Sequence, residues 1–273
     1  MNAIFKIIRA ITPPILIAVV KNSPLIKSGW QGNFKTWEEA KSKTTGYDSA
    51  LILDKVRDSM YKVKEGLAVY ERDSVLFDTI HYSWPLLTGL MMAAANDGGR
   101  LNVLDFGGSL GSTYYQNKKF LAHIHGVVWS IVEQDHFVDI GKKSFEDNIL
   151  KFYPTITDCM KDQLPNVIVL SGVLQYLENP HSFIDSLINE TQANFILIDR
   201  TPFSLKERIV VQVVPASIYK ASYPCHIFNL ENFKNQFLEK GYTFIEEFDA
   251  VDGDKKSFQF RGFILSKTAN RNQ

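Results

Sequence analysis

The chain has 273 residues, with 30 basic and 30 acidic side chains and a formal net charge of zero. That balance argues against a general nucleic-acid binder, which carries a basic excess. Hydrophobic residues make up 45% and charged residues 22%, ordinary for a globular chain large enough to bury a full core, either as one domain or as one domain with a helical cap. The two cysteines, Cys159 and Cys225, have no ligand-like spacing, so a disulfide scaffold is not expected and a reducing, cytoplasmic setting is.

Residues 1–20 carry Lys6, Arg9 and the apolar run Ile15-Leu16-Ile17-Ala18-Val19-Val20. The run is too short to span a bilayer and lacks a small-residue cleavage site. Pro13-Pro14 divides any helix there. The expectation is a helical arm docked on the body; weak contact with a membrane surface is the alternative. Trp30-Gln31-Gly32-Asn33-Phe34 reads as a loop. Thr36-Trp37-Glu38-Glu39 is a capping-box pattern. Residues 47–64 repeat apolar side chains at helical spacing. Ser74 is placed to cap a long helix from Val75 to Met91, kinked at Pro85 and stopped by Gly98-Gly99. Residues 1–100 therefore read as an N-terminal helical arm and cap, and 101–273 as the main domain. Glu71-Arg72-Asp73-Ser74 falls at a loop-to-helix junction, where capping and surface charge are favoured over the polar edge of a substrate pocket.

From Leu101 onward, short apolar runs alternate with helical patterns, which predicts a parallel α/β sheet. Leu101-Asn102-Val103-Leu104 is the first strand. Asp105 closes it, and the glycine-rich turn Gly107-Gly108-Ser109-Leu110-Gly111 leads into a helix at Ser112. Such a turn permits positive φ and close approach of backbone to a ligand, with free N–H groups of a helix start behind it. The second strand, 126–132, ends in Glu133, 22 residues past Gly111; an acid at that distance reaches the hydroxyls of a cofactor ribose. A helix is expected over 137–150, a third strand over 152–156 with Asp158 just after it, and a fourth over 167–170. The loop Ser171-Gly172-Val173-Leu174-Gln175-Tyr176 then lies beneath the cofactor. Asn179-Pro180 starts a helix. A fifth strand spans 195–198, ended by Asp199-Arg200-Thr201-Pro202. The segment 203–228 is long for a strand-to-helix link and reads as a lid or pocket wall. Asn229 caps a helix with Leu230, Phe233, Phe237 and Leu238 inward. Residues 242–248 and 257–266, separated by Asp252-Gly253-Asp254, form a terminal antiparallel hairpin.

That ending separates two cofactor classes. A nicotinamide fold continues in parallel and needs no acid before its glycines. Asp105, Gly107 and Gly111, the acid Glu133 and the closing hairpin instead resemble the class I S-adenosylmethionine (SAM) methyltransferases. Their turn is D/E-x-G-x-G-x-G, and a reversed seventh strand closes their sheet; here Ser109 replaces the middle glycine and Gly108 is added. Glu71-Arg72-Asp73-Ser74, the 104–111 turn, Val132-Glu133-Gln134, the 173–177 loop, the 199–203 segment and Ala221-Ser222-Tyr223-Pro224 together resemble one bacterial family of uncharacterised SAM-dependent methyltransferases, from Trp30 onward. Some of its members resemble accessory enzymes of surface-polysaccharide synthesis.

The resemblance implies a Rossmann-like α/β fold: a seven-stranded, mostly parallel sheet with a terminal antiparallel hairpin. It also implies a SAM cofactor and a small-molecule or glycan-precursor acceptor, with O-methylation favoured. In that reading Asp105, with Gly107, Gly108, Ser109 and Gly111, organises the turn and the methionine end. Glu133 holds the ribose. Gln134, Asp158 and the Ser171, Gly172 and Val173 backbone lie near adenine and ribose, and Gln175 and Tyr176 face the methyl group. A hydroxyl acceptor needs a base. His226 is the preferred candidate, with Asp199, Arg200 and Tyr223 as further catalytic candidates; a packed, non-functional His226 is its alternative. Arg200 either grips an anionic substrate or forms an internal ion pair. His123 and His125 have no third ligand, so no metal is expected. The remaining alternatives are a nicotinamide-dependent oxidoreductase or epimerase, and a non-catalytic relative that binds SAM or a protein partner.

Overall fold

The computed structural model describes residues 29–45, 49–215, 218, 221–252, 255 and 257–268. The expectations for residues 1–20, and those for Tyr47, Gly253 and Asp254, lie outside them. The chain opens with β1 (Gly29–Phe34), α1 (Trp37–Lys41) and α2 (Ser49–Lys64), the hairpin β2 (Tyr70–Arg72) and β3 (Val75–Phe77), and α3 (Trp84–Asn96). Strands and helices then alternate: β4 (Leu101–Phe106), α4 (Ser112–Leu121), β5 (Val127–Val132), α5 (Asp135–Ser144), β6 (Leu150–Tyr153), α6 (Ile156–Asp162), β7 (Val167–Ser171), α7 (Pro180–Thr191) and β8 (Phe195–Ser204). The chain ends with β9 (Arg208–Val213), β10 (Ser222–Asn229), α8 (Leu230–Glu239), β11 (Tyr242–Asp249) and β12 (Gln259–Lys267).

The fold is α/β around a mostly parallel sheet. β4 lies at its centre, parallel to β5 with Leu101 opposite Val127 and Phe106 opposite Val132, and parallel to β7 on its other side. β6 extends the sheet beyond β5, and β8 extends it beyond β7. β12 returns antiparallel against β8, and β11 pairs outside β12. The order β6-β5-β4-β7-β8-β12-β11 therefore carries one reversed strand, as the hairpin pattern at the end of the sequence predicts.

Helices cover both faces, which is why the central strands are mostly apolar rather than alternating, with Asn102 in β4 and Ser130 in β5 among the exceptions. Successive side chains of β4 point to opposite faces. Val103 joins a core with Ile52, Leu90, Trp129 and Phe152, and Leu104 joins one with Ile184, Leu187, Phe233 and Phe263. The helix starts match their sequence signals: Thr36 Oγ1 accepts the Glu39 N–H at 3.2 Å, and Asn229 Oδ1 accepts the Asn232 N–H at 2.9 Å.

Several local expectations are corrected. Residues 30–34 form strand β1, antiparallel to β9; their polar, glycine-bearing sequence acquires strand form from a partner far along the chain. Ser74 does not cap a helix. It shares a two-residue hairpin turn with Asp73, at φ 67° and 53°, between β2 and β3. The helix begins ten residues later, where Pro85 occupies its first turn as a starter and not a kink. Helix α5 ends at Ser144, so Leu150 already belongs to β6, and Pro154 follows that strand instead of interrupting it. Strand β8 runs on through Asp199 to Ser204. The 203–228 segment holds β9, antiparallel to both β1 and β10, and most of β10, which joins the sheet parallel to β8; Gln212, Val214, Pro215, Ile218 and Tyr223 from it line the cavity. Leu238 is 50% exposed while Phe233 and Phe237 are fully buried.

Candidate functional site

The carboxyl ends of β4, β5, β7 and β8 open into a cavity of about 930 Å³, within the size range of small-molecule and cofactor sites. Asp105 and Glu133 both line it. Asp105 is 1% exposed, and its Oδ2 accepts the Trp129 indole N–H at 3.0 Å. Burial pushes its carboxyl up to about 7, the indole bond opposes that shift, and the nearby Glu133 charge adds to it. Burial also raises Glu133, against hydrogen bonds from the backbone N–H groups of Gln134 and Ser109; the Gln134 N–H donates to its Oε2 at 2.7 Å. The two acids thus face one hollow, joined by the turn.

The glycines of the turn are explained by what surrounds them. A Cβ on Gly108 would lie 2.6 Å from the Asp105 carboxyl carbon, and one on Gly107 would lie 2.5 Å from Val173 Cγ2. Gly107 also has φ 72°. The turn is therefore pressed between its own acid and the loop after β7. Ser109 takes the left-handed conformation at φ 56°, the backbone role that a glycine fills at least cost. Gly111, at φ 99°, is the N-cap of α4 and lies behind the cavity wall.

Of the other expected cofactor residues, Gln134, Ser171, Gly172, Val173 and Gln175 line the cavity. Asp158 does not. It lies in the first turn of α6, where its carboxylate takes the Thr155 hydroxyl at 2.7 Å and pairs with Lys161 at 2.7 Å. Its placement follows from the corrected strand: β6 ends at Tyr153, and Thr155 caps the next helix. Phe106, Val132, Phe137 and Pro154 give this end an apolar wall.

The opposite end is polar. Asp199, on β8, is 2% exposed, and its Oδ1 accepts the Arg200 backbone N–H at 2.8 Å. Burial pushes it up to about 6, against hydrogen bonding from Ser83 and the nearby Arg200 charge. Arg200 donates to Asp73 at 2.6 Å and to Asp252 at 2.8 Å, which realises the internal ion pair. Burial works against its charge, and the two carboxylates overcome that and hold it firmly protonated. Tyr223 also lines the cavity, its ring edge-on to Tyr176 at 5.1 Å. Tyr176 donates its hydroxyl to Gln212 Oε1 at 2.8 Å.

His226 is not brought to the cavity. It is 7% exposed, stacked on Trp37 at 5.0 Å, with Nε2 3.3 Å from the Glu178 carbonyl. Burial lowers its proton affinity.

The hairpin is the main surprise. Glu71, Arg72, Asp73 and Ser74 all line the cavity. Glu71 is 2% exposed and accepts the Ser112 hydroxyl at 2.5 Å and the Ser74 N–H at 2.6 Å. Burial pushes it up to about 7 against those bonds. A turn of Asp73-Ser74 lacks the glycine that marks a tight hairpin, so the strands flanking it left no clear signal. Asp252 arrives from the far C-terminal turn, which only the closing hairpin could have indicated.

No family model and no curated protein matches the chain. Among solved structures, it is similar to 1,6-didemethyltoxoflavin-N1-methyltransferase of Burkholderia thailandensis, crystallised with S-adenosylhomocysteine. That similarity has 11% identity and a TM-score of 0.46, covering 88% of this chain and 94% of that one. It is also similar to magnesium protoporphyrin IX methyltransferase of Synechocystis, crystallised with SAM, at 11% identity and a TM-score of 0.45, covering 82% and 99%. A third is CalS10, an amino pentose methyltransferase of Micromonospora echinaspora, at 9% identity and a TM-score of 0.45, covering 68% and 92%. Likeness at this level carries nothing about chemistry.

Proposed function

We propose that the protein is a SAM-dependent methyltransferase that modifies a small molecule or glycan precursor, on a hydroxyl by preference. The observation that supports this most is that Asp105 and Glu133 face one cavity across a turn with no room for side chains. They do so at the carboxyl edge of a sheet whose last strand runs backwards. A nicotinamide fold shares the glycine turn and the acid on the second strand, but needs neither the acid before the glycines nor the reversed strand.

The lining suits the cofactor. The apolar wall of Phe106, Val132, Phe137 and Pro154 accommodates an adenine ring, Glu133 is positioned for ribose hydroxyls, and the buried acids favour a sulfonium. When bound, the cofactor supplies an electrophilic methyl carbon whose bond to sulfur breaks, leaving the electron pair on sulfur as the acceptor bond forms. Gln175 and the Ser171-Gly172-Val173 backbone fix the approach from the β7 loop, since positioning supplies much of the rate in such a displacement. Asp199 is the group placed to take the acceptor proton: a buried carboxyl raised toward neutral pH is matched to general-base work. The β2–β3 hairpin, with α2 and α3, acts as the cap, and the connector after β9, through Val214, Pro215 and Ile218, walls the acceptor end. The bacterial family resembled by the motifs supports a bacterial biosynthetic role.

The test is a ligand comparison. S-adenosylhomocysteine at about 100 times its Kd stabilises a binder by about 2.7 kcal/mol, so it raises the melting temperature while NAD leaves it unchanged. The reverse pattern returns the protein to the nicotinamide class.

A further inference from the structure

We infer that the acceptor molecule carries an amine, and that the polar end of the cavity is built to receive its positive charge; this rests on the methyltransferase reading above. Six carboxyl side chains line the cavity against two guanidinium groups, and among the described residues no lysine or histidine does. Both arginines are engaged. Arg200 is held between Asp73 and Asp252, and Arg72 lies over the Phe77 ring at 5.4 Å. Arg200 is therefore matched by its own two carboxylates, and Arg72 is the single cation left, among the described residues, against the remaining acids.

The acids divide by task. Asp105 and Glu133 flank the glycine turn, and Asp73 and Asp252 are matched by Arg200. Glu71 and Asp199 remain. Each is 2% exposed, and among the described residues neither forms a side-chain ion pair. Glu71 is held by a hydroxyl and a backbone N–H, and Asp199 by a backbone N–H and the Ser83 hydroxyl. A buried carboxylate without a cation is costly, and both are accordingly raised toward neutral pH. A third acceptor lies in the same wall. Gln175, also 2% exposed, spends its amide N–H on the Arg200 carbonyl at 3.2 Å, while its amide oxygen has no partner. Two unpaired acids and an unpartnered carbonyl call for a ligand that brings several donors and a positive charge. An ammonium brings three donors and no acceptor. An anionic acceptor would enter a wall where carboxyl groups outnumber guanidinium groups six to two.

The experiment is a ligand-observed NMR screen on the full chain saturated with S-adenosylhomocysteine. The fragment set contains primary amines, carboxylates and phosphate monoesters in equal numbers. Amines are expected to dominate the hits, and their Kd to rise about tenfold in each of Glu71→Gln and Asp199→Asn, as for loss of one charge-assisted contact. Circular dichroism checks that each variant folds. Should one not fold, the other and the pH dependence decide: amine binding to the unmutated chain weakens between about pH 8 and about pH 5 as the acids take up protons. Hits that favour anions or no class, or an empty screen, overturn the inference. So do amine hits that appear only without S-adenosylhomocysteine, because the acids would then serve the cofactor's own ammonium. If calorimetry shows no S-adenosylhomocysteine binding at all, the methyltransferase reading falls first.

Discussion

The two ends of the cavity solve the same problem in different ways. At the β4–β5 end, Asp105 is buried and Glu133 half-buried, and both are held by neutral donors, an indole and backbone N–H groups. They come from adjacent strand tips, and glycines hold the backbone close to them. At the β8 end, the acids come from three separate stretches of chain, and one arginine, itself in the left-handed region at φ 54°, ties two of them together. The first end is a local device, repeated wherever a parallel strand runs into a helix. The second is assembled from the N-terminal hairpin, β8 and the C-terminal hairpin, so its specificity belongs to the whole fold.

The local end can be broken by a single side chain. Gly107→Val places a branched Cβ against Val173 and forces a β-branched residue to φ 72°. The combined overpacking and backbone strain should cost about 2–4 kcal/mol, read from urea denaturation, and should abolish S-adenosylhomocysteine binding in calorimetry. A stable variant that still binds would mean the turn is not the cradle. Glu133→Ala is milder. It removes one charge-assisted hydrogen bond of about 1.5–3 kcal/mol, so affinity should fall by about ten- to a hundredfold, with little change in melting temperature. Unchanged affinity removes Glu133 from the site.

The same contrast governs what the sequence discloses. Strands β4, β5 and β7 are predominantly apolar runs with a polar residue at or just past their carboxyl ends, and the glycine turn, Glu133 and the closing hairpin are each signalled within a few residues. The sheet order and the cofactor end follow from these. Strand β1 has no such pattern: Gly29 pairs with Val213 across most of the chain, and pairing, not propensity, makes it a strand. The same holds for β9 and β10, which occupy a stretch that looks like an open link. Glu71 looks like surface charge because its burial depends on Ser112, far from it in sequence, and Asp73, which is exposed, is tied into the site only through Arg200. Pro85 and Pro154 are ambiguous from sequence alone, since proline both opens helices and ends strands.

Protonation sharpens the comparison next. Glu71 and Asp105 are raised to about 7 and Asp199 to about 6, all above their unfolded values near 4. Between the unfolded and folded values the folded chain binds more protons. Their contribution to stability is therefore fully present below about pH 4 and is lost as pH rises through the folded values. The unliganded protein should melt at a higher temperature near pH 5.5 than near pH 8, and Glu71→Gln should flatten that slope. Asp252, depressed by Arg200 although burial alone would raise it, acts in the opposite sense and only at lower pH, because its contribution is lost as pH falls through its folded value. A melting temperature that climbs from pH 5.5 to pH 8 would show that the raised carboxyls do not govern the native state.

The smallest effect on chemistry is expected from the residue whose type is most suggestive. His226 lies on β10, at a position where a histidine could have reached an acceptor, but its ring is sandwiched between Trp37 and Phe228 at 5.0 and 5.8 Å. A ring so placed contributes packing. Replacing it with asparagine removes both stacks and leaves a polar group among aromatic rings, which should cost about 1–2 kcal/mol. Methyl transfer to an amine-bearing compound returned by the screen should stay within about twofold, a barrier change of less than about 0.5 kcal/mol. Asp199→Asn should do the opposite, lowering the turnover rate far more than the melting temperature. If the two outcomes are exchanged, with transfer lost in His226→Asn and kept in Asp199→Asn, the proton leaves through β10 and the polar end of the cavity serves binding alone.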